Sequence, residues 1–188
     1  MTGVQTCALP ISHDQLEALA LADLMVVMRN GVIEQVGSPD DICANPATSF
    51  VAGFIGDPPM SLLRVDLERE GGRLWLRLGA ARLPPDERFA HLLEGFRDQH
   101  LVIALPANDL SLGAPGDKQS ISAAVQAHEW VGRELQILVA VDGSVIRLRT
   151  QERLALRIGD QVPIRLDFKR AHVFDPKTGR TLGIGLDH

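Results

Sequence analysis

Residues 135–149 read LQILVAVDGSVIRLR, and this stretch decides the expected fold. Alternate positions ahead of the turn are apolar, which is the period of a strand with one buried face. They are Leu135, Ile137, Val139 and Val141. Asp142-Gly143 then forms a two-residue turn that tolerates positive φ. The second strand shows the same alternation, and its residues are expected to pair with the first strand across the turn: Val145, Arg147 and Arg149. The pattern predicts an antiparallel β-hairpin.

Further strands are indicated on both sides of this hairpin. Ile164, Leu166 and Phe168 alternate as a closing strand. Residues 62–68 and 73–78 flank Gly71-Gly72 and predict a second hairpin. Pro84-Pro85-Asp86 precedes apolar residues at helical spacing and predicts a helix. Many short antiparallel strands with Gly and Asp turns favour a small barrel of the OB type over residues 61–188.

The first sixty residues have a different pattern. A short helix is predicted from Asp14 onward, because four apolar residues lie at helical spacing: Leu16, Leu19, Ala20 and Ala22. Residues 24–36 predict two strands around Asn30-Gly31. Ser38-Pro39 is typical of a helix start, because Ser accepts backbone N–H bonds and Pro needs none at the first position. A further helix is expected over residues 47–55. The Pro-rich stretch 56–60 indicates a domain boundary near residue 60.

Composition excludes several classes of function. The 188 residues carry a net charge of −5, which disfavours binding to a nucleic-acid backbone. The apolar runs are much shorter than the roughly 20 residues that span a bilayer, so no direct membrane insertion is expected. Two cysteines, Cys7 and Cys43, fit a reducing cytoplasmic compartment. No metal-ligand spacing is found around Asp109, Asp117 or Asp142.

The first eleven residues do not share the patterns of the rest of the chain. TGVQTCALPI (2–11) has neither helical nor strand periodicity. It resembles the conceptual translation of a short-read sequencing adapter, so residues 1–11 are interpreted as a non-native segment. The alternative is a genuine N-terminal tail. Either interpretation removes Cys7 from the candidate functional residues.

Residues 12–60 carry a family resemblance. SHDQLEALALADLMVVMRNGVIEQVGSPDDI (12–42) and NPATSFVAGFIGDPPM (45–60) resemble the end of the nucleotide-binding domain in ATPases of carbohydrate-importing ABC transporters. The resemblance implies that His13 is the H-loop or switch histidine, directed at the γ-phosphate of ATP. An imidazole there can donate to a phosphate oxygen. His13 is the single candidate catalytic residue.

The sequence departs from that family at its central motifs. Phosphoryl transfer needs a Gly-rich loop ending in Gly-Lys-Ser/Thr and an acidic strand end, and no Gly-Lys pair occurs here. The signature loop is also missing. ATP and Mg²⁺ are therefore implied for a full-length parent, and no cofactor or metal is expected for this chain. It is interpreted as an inactive fragment of an ATPase.

The second half resembles the regulatory OB-like domain, called TOBE or MOP-type, of the same importers. The matching segments are HEWVGREL (128–135), DGSVIRLR (142–149), IGDQVPIRLD (158–167) and VFDPKTGRTL (173–182). The family commonly has Arg-Pro-Glu where this chain has Leu105-Pro106-Ala107, which loses both charges. The expected class is thus α+β: the C-terminal piece of an ABC ATPase α/β domain (12–60) followed by a β-rich OB-like barrel (61–188).

The resemblance also implies partners and a location. The parent would be the ATP-hydrolysing subunit of an importer for sugars or glycerol-phosphate-like solutes. Its partners would be permease subunits and a second ATPase subunit, on the cytoplasmic face of the membrane. The alternative function is a free-standing OB-like module that senses an anion or a partner protein. Trp75, His128 and Trp130 could form a small-molecule platform, although aromatic residues on strands are more often packing residues.

Overall fold

The computed structural model describes residues 15–96, 99–114, 116–117 and 119–184. Over these residues the chain forms thirteen strands and four α-helices, with a 3-10 turn at Ala107–Asp109. The helices are α1 (Gln15–Leu21), α2 (Pro39–Ala44), α3 (Ser49–Phe54) and α4 (Glu87–Glu94). The strands are β1 (Met25–Arg29), β2 (Val32–Gly37), β3 (Ser61–Glu70), β4 (Arg73–Leu78), β5 (Ala81–Leu83), β6 (His100–Leu105), β7 (Leu110–Leu112), β8 (Ser120–Val131), β9 (Glu134–Val141), β10 (Ser144–Thr150), β11 (Gln161–Leu166), β12 (His172–Phe174) and β13 (Thr181–Ile184).

The N-terminal segment is a two-stranded sheet packed against short helices. β1 and β2 pair antiparallel around Asn30 (φ 51°) and Gly31 (φ 78°), which confirms the predicted turn. Met25 and Val27 are buried on one face of β1 and pack with Ile42 of α2 and residues of α3. Residues 15–60 therefore hold a small apolar core of their own.

Side-chain caps fix the two helices after the hairpin. The Ser38 hydroxyl accepts a hydrogen bond from the Asp41 backbone N–H at 3.2 Å, and Pro39 follows it as expected. The Thr48 hydroxyl accepts from the Val51 N–H at 3.3 Å, so α3 begins after Thr48 rather than at residue 47. Capping determines both helix starts.

A six-stranded antiparallel sheet has the order β13-β12-β6-β3-β4-β5. The long strand β3 lies at its centre and pairs with β4 on one side and β6 on the other. The predicted hairpin around Gly71-Gly72 is confirmed. Helix α4 begins after Asp86, whose carboxylate accepts from the Phe89 N–H at 2.8 Å.

A five-stranded antiparallel sheet has the order β10-β9-β8-β11-β7. It curls so that its two edge strands, β10 and β7, come close to each other. β10 also lies against β3 of the six-stranded sheet. The turn at Asp142 (φ 46°) and Gly143 (φ 74°) joins β9 to β10 as expected.

Both sheets contribute side chains to one continuous apolar core. Phe89 of α4 stacks on Phe168 at 5.3 Å between ring centroids. The expectation of a mostly β, OB-like barrel type of fold for the second half is confirmed. The structure does not show an α/β ATPase portion over residues 12–60. The described residues there form only the two-stranded sheet and helices α1 to α3.

One detail of the predicted central hairpin was wrong. Val145, Arg147 and Arg149 of β10 lie on the outer face, whereas the buried residues of β10 are Ser144, Ile146 and Leu148. The register pairs Ile146 with Val139 and Leu148 with Ile137. In an antiparallel pair, directly opposed residues share a face, so the core-facing set starts immediately after the turn.

Candidate functional site

The predicted catalytic residue, His13, lies outside the described residues. Helix α1 begins two positions later at Gln15 and carries Glu17 in its first turn. In the described part of the chain, no group of three His, Cys, Asp or Glu side chains is placed to hold a metal ion. No helix there is long and apolar enough to cross a bilayer.

The outer face of the β1–β2 sheet is apolar and exposed. Two cross-strand pairs form it: Val26 with Val36, and Met28 with Ile33. These side chains are 43–57% exposed, whereas Met25 and Val27 on the opposite face are buried. We call these four residues the outer hairpin face. In the described ranges, nothing covers it.

The N-terminal segment is attached to the barrel at α3. The Ser49 N–H donates to the Gly179 carbonyl at 2.8 Å, and the Thr181 N–H donates to the Ala47 carbonyl at 3.0 Å. Ala52 of α3 is buried with Ala104 of β6 and Phe174 of β12.

The linker between the two parts is held as well. The Asp57 carboxylate accepts from the Arg149 guanidinium at 2.7 Å. These contacts fix the position of residues 45–60 on the six-stranded sheet and β10.

The three aromatic residues considered as a platform do not come together. Trp75 is half-buried on β4, and the Arg82 guanidinium lies over its ring at 4.5 Å from the centroid. His128 and Trp130 lie on the exposed end of β8, in the other sheet. A joint platform of all three is therefore wrong, and Trp75 has a packing role with Arg82.

Trp130 instead borders a cleft at the tip of the β8–β9 hairpin. The cleft has a volume of about 660 Å³. It is lined by Trp130, Gly132, Arg133, Gln151, Arg153 and Leu154. We call it the Trp130 cleft. A second cleft of about 340 Å³ contains His128, Arg147, Arg149 and Pro58 of the linker.

The aspartates considered for metal binding have structural roles. Asp109, with a side chain 8% exposed, accepts from Arg170 at 2.5 Å. The backbone N–H of Gln119, and then Arg165 at 2.6 Å, hold the pKa of Asp117 below its usual value. Asp142 occupies the positive-φ position of the β9–β10 turn.

Cys43 is a half-buried thiol on α2. Burial first, and the nearby Asp40 second, raise the pKa of the Cys43 thiol. A thiol with a raised pKa is less often in the reactive thiolate form. Cys43 packs as a small apolar side chain against the core of the N-terminal segment.

His172 of β12 is a buried polar residue that the sequence did not single out. It is 2% exposed, and its Nδ1 atom has no hydrogen-bond partner among the residues placed by the structure. Burial lowers the pKa of His172 to about 4, against the opposing effect of Asp109. His172 is thus neutral in the folded protein near pH 7.

Comparison with known proteins identifies a domain and a set of relatives. Residues 100–174 match the TOBE domain family. The chain is 36% identical over 185 residues to the sn-glycerol-3-phosphate import ATP-binding protein UgpC of Cereibacter sphaeroides, covering 95% of this chain and 48% of the relative. It is 33% identical to the trehalose/maltose import ATP-binding protein MalK of Thermococcus litoralis (92% and 47%). The oligosaccharides import ATP-binding protein MsmX of Bacillus subtilis is 31% identical (93% and 48%).

The chain thus spans about half the length of the curated relatives that it matches, and it covers their C-terminal TOBE region. The resemblance to ATP-binding subunits of sugar and glycerol-phosphate importers is confirmed. Among solved structures, the molybdate-bound cytoplasmic protein ModG overlaps 56% of this chain and 89% of its own. Its TM-score of 0.43 and 14% identity are too low to assign a ligand.

Proposed function

We propose that this chain is the C-terminal part of the ATP-hydrolysing subunit of an ABC importer for sugars or glycerol-phosphate-like solutes. Residues 12–60 would complete a nucleotide-binding domain, and residues 61–188 would form its regulatory domain. Residues 1–11 would take no part. The observation that carries the proposal is the collinear similarity to such subunits over 95% of this chain.

The outer hairpin face supports the same function. An isolated two-stranded sheet is marginally stable in water and needs packing on its faces. Here one face packs on α2 and α3, while the other exposes Val26, Met28, Ile33 and Val36. Contiguous exposed apolar side chains of this kind mark a contact surface. The remainder of a nucleotide-binding domain is the proposed cover.

His13 is the proposed catalytic contribution of this chain. Its imidazole would donate a hydrogen bond to the γ-phosphate and help to hold the attacking water in line. ATP and Mg²⁺ would be bound by motifs that the first half of the relatives would supply. A second ATPase subunit would complete the nucleotide sandwich, and permease subunits would hold the assembly at the cytoplasmic face of the membrane.

A chimera tests this function. The first half of the C. sphaeroides relative is fused to residues 12–188, and Mg²⁺-dependent ATP hydrolysis is measured. We expect turnover by the chimera, none by residues 1–188 alone, and a loss of about 100-fold or more for His13→Ala, the range typical of a positioned proton-transfer group. The matched control is His91→Ala, whose side chain is 74% exposed on α4.

Two results would reject the proposal. One is a folded chimera that binds ATP but does not hydrolyse it. The other is hydrolysis that His13→Ala leaves unchanged. The first result would favour the alternative of a free-standing OB-like binding module, and the second would reject the catalytic role given to His13.

A further inference from the structure

We propose that the Trp130 cleft binds a small phosphate monoester that carries a ring, such as a sugar phosphate. Arg133 and Arg153 would hold the phosphoryl group, and the indole of Trp130 would contact the ring. The inference rests on the cleft alone and does not depend on the function proposed above.

The strand register explains how the cleft forms. β8 ends at Val131, and the turn at Gly132 (φ 63°) and Arg133 joins it to β9. Thr150, the last residue of β10, pairs with Leu135 near the start of β9. The chain leaving β10 therefore passes beside the tip of the β8–β9 hairpin, and Gln151 and Arg153 line the same cleft as Arg133.

The charge of the cleft favours an anion. Neither Arg133 nor Arg153 has an ion pair or side-chain hydrogen bond with any residue that the structure describes. No carboxylate is among the lining residues. Glu134, which follows Arg133, lies instead 4.0 Å from the Arg149 guanidinium. Two guanidinium groups without an ion pair thus line one cleft, and no carboxylate lines it with them.

Charge and shape narrow the ligand class. A guanidinium binds phosphate through two parallel hydrogen bonds, and a phosphate monoester carries nearly two negative charges at pH 7. The charge of two arginines therefore complements a phosphate monoester better than it complements a ligand with a single carboxylate. The cleft, of about 660 Å³ and open to solvent, has more room than a bare oxyanion needs. Trp130, 49% exposed, offers an apolar ring face, and Gln151 offers an amide.

Binding is measured by calorimetry on residues 1–188 at pH 7.5, and by Trp130 fluorescence in a Trp75→Phe variant. The probes are glucose 6-phosphate, ribose 5-phosphate, inorganic phosphate, glucose and a phosphoserine peptide. We expect at least one sugar phosphate to bind and to change Trp130 fluorescence. Inorganic phosphate should bind more weakly, and glucose should not bind.

Variants locate the site. Arg133→Gln with Arg153→Gln should weaken binding of the sugar phosphate at least tenfold. Arg64→Gln with Arg73→Gln makes the same charge change at exposed positions outside the cleft and should alter it less than twofold. Lowering the pH to 5 should also weaken binding, because the monoester loses about one charge near pH 6.

Several results would overturn the proposal. The first is that neither sugar phosphate binds saturably. The second is that the Arg133/Arg153 variant binds the sugar phosphate as tightly as the unmodified protein. The third is that the Arg64/Arg73 variant loses as much affinity as the Arg133/Arg153 variant. Equal affinity for inorganic phosphate would overturn the role given to Trp130. Tighter binding of the phosphoserine peptide would overturn the small-molecule class.

Discussion

The hydroxyl of Ser61 accepts a hydrogen bond from the backbone N–H of Arg147 at 3.1 Å. A second hydrogen bond of the same kind crosses in the opposite direction, from β3 to β10. The Arg64 N–H donates to the Ser144 hydroxyl at 3.3 Å. Both serines are buried. β3 and β10 lie side by side here, and no backbone hydrogen bonds pair them. The two hydroxyls therefore satisfy partly buried N–H groups that have no partner on the other strand.

Ser61→Ala should therefore destabilise the protein by about 1–3 kcal/mol, because it leaves the Arg147 N–H unsatisfied. Urea unfolding measures the free-energy change. The control is Ser122→Ala, since the Ser122 hydroxyl bonds to Gln161 at an exposed site. That control should change stability by no more than about 0.5 kcal/mol. Equal effects of both substitutions would contradict the role of Ser61 at the junction of the sheets.

A second prediction concerns Asp109 and Arg170. The Asp109 side chain is 8% exposed and accepts from Arg170 through two guanidinium nitrogens. Arg170→Ala should cost about 2 kcal/mol, because a nearly buried carboxylate loses its charged partner. Lys169→Ala breaks the exposed pair with Asp167 at 3.6 Å and should cost no more than about 1 kcal/mol. Thermal unfolding of both variants provides the comparison, and a smaller effect for Arg170→Ala would contradict the prediction.

Local turn and cap chemistry was predictable from the sequence. Asn30-Gly31 and Asp142-Gly143 adopt the positive φ values that those residues tolerate, and Ser38 caps α2 as expected. β6 was missed because both of its faces are largely covered in the middle of a sheet, which removes the alternation that marks a strand.

The candidate site was less predictable than the fold. Arg133 and Arg153 are twenty positions apart in the sequence, and they share a cleft only because the register of β9 and β10 brings the end of one strand beside the start of the other. Nothing in the residues around His172 indicates that its ring is buried without a partner for Nδ1. Both features depend on long-range pairing, which local sequence patterns do not encode.

The buried His172 predicts a pH dependence of stability. Its pKa of about 4 in the folded protein lies below the ordinary value of 6.5, so the unfolded chain binds the proton more tightly. The stability that comes from neutral His172 is therefore fully present above pH 6.5 and is lost as the pH falls towards 4. Urea midpoints between pH 7.5 and 4 should fall less steeply for His172→Gln than for the unmodified protein. His91→Gln, at an exposed site, is the control for loss of an imidazole. A slope for His172→Gln that is as steep as that of the unmodified protein would contradict the assignment.

The outer hairpin face gives the last prediction. Val26 and Ile33 are already in contact with water, so Val26→Lys with Ile33→Lys should change the stability of residues 1–188 by no more than about 0.5 kcal/mol. The same substitutions should reduce any concentration-dependent self-association seen by sedimentation, because they add charge to the apolar surface.

Val27→Lys is the control on the opposite face. Its side chain is 4% exposed, so a buried ammonium there should disrupt the packing of the hairpin on α2 and α3.

The decisive comparison is the chimera with the first half of the C. sphaeroides relative. If the rest of a nucleotide-binding domain covers the outer hairpin face, the Val26/Ile33 double variant of the chimera must bury two lysines. ATP hydrolysis by the chimera should then be lost, although residues 1–188 alone tolerate the same change. Full hydrolysis by the double variant would mean that this face stays in water, and the proposed cover would then be wrong.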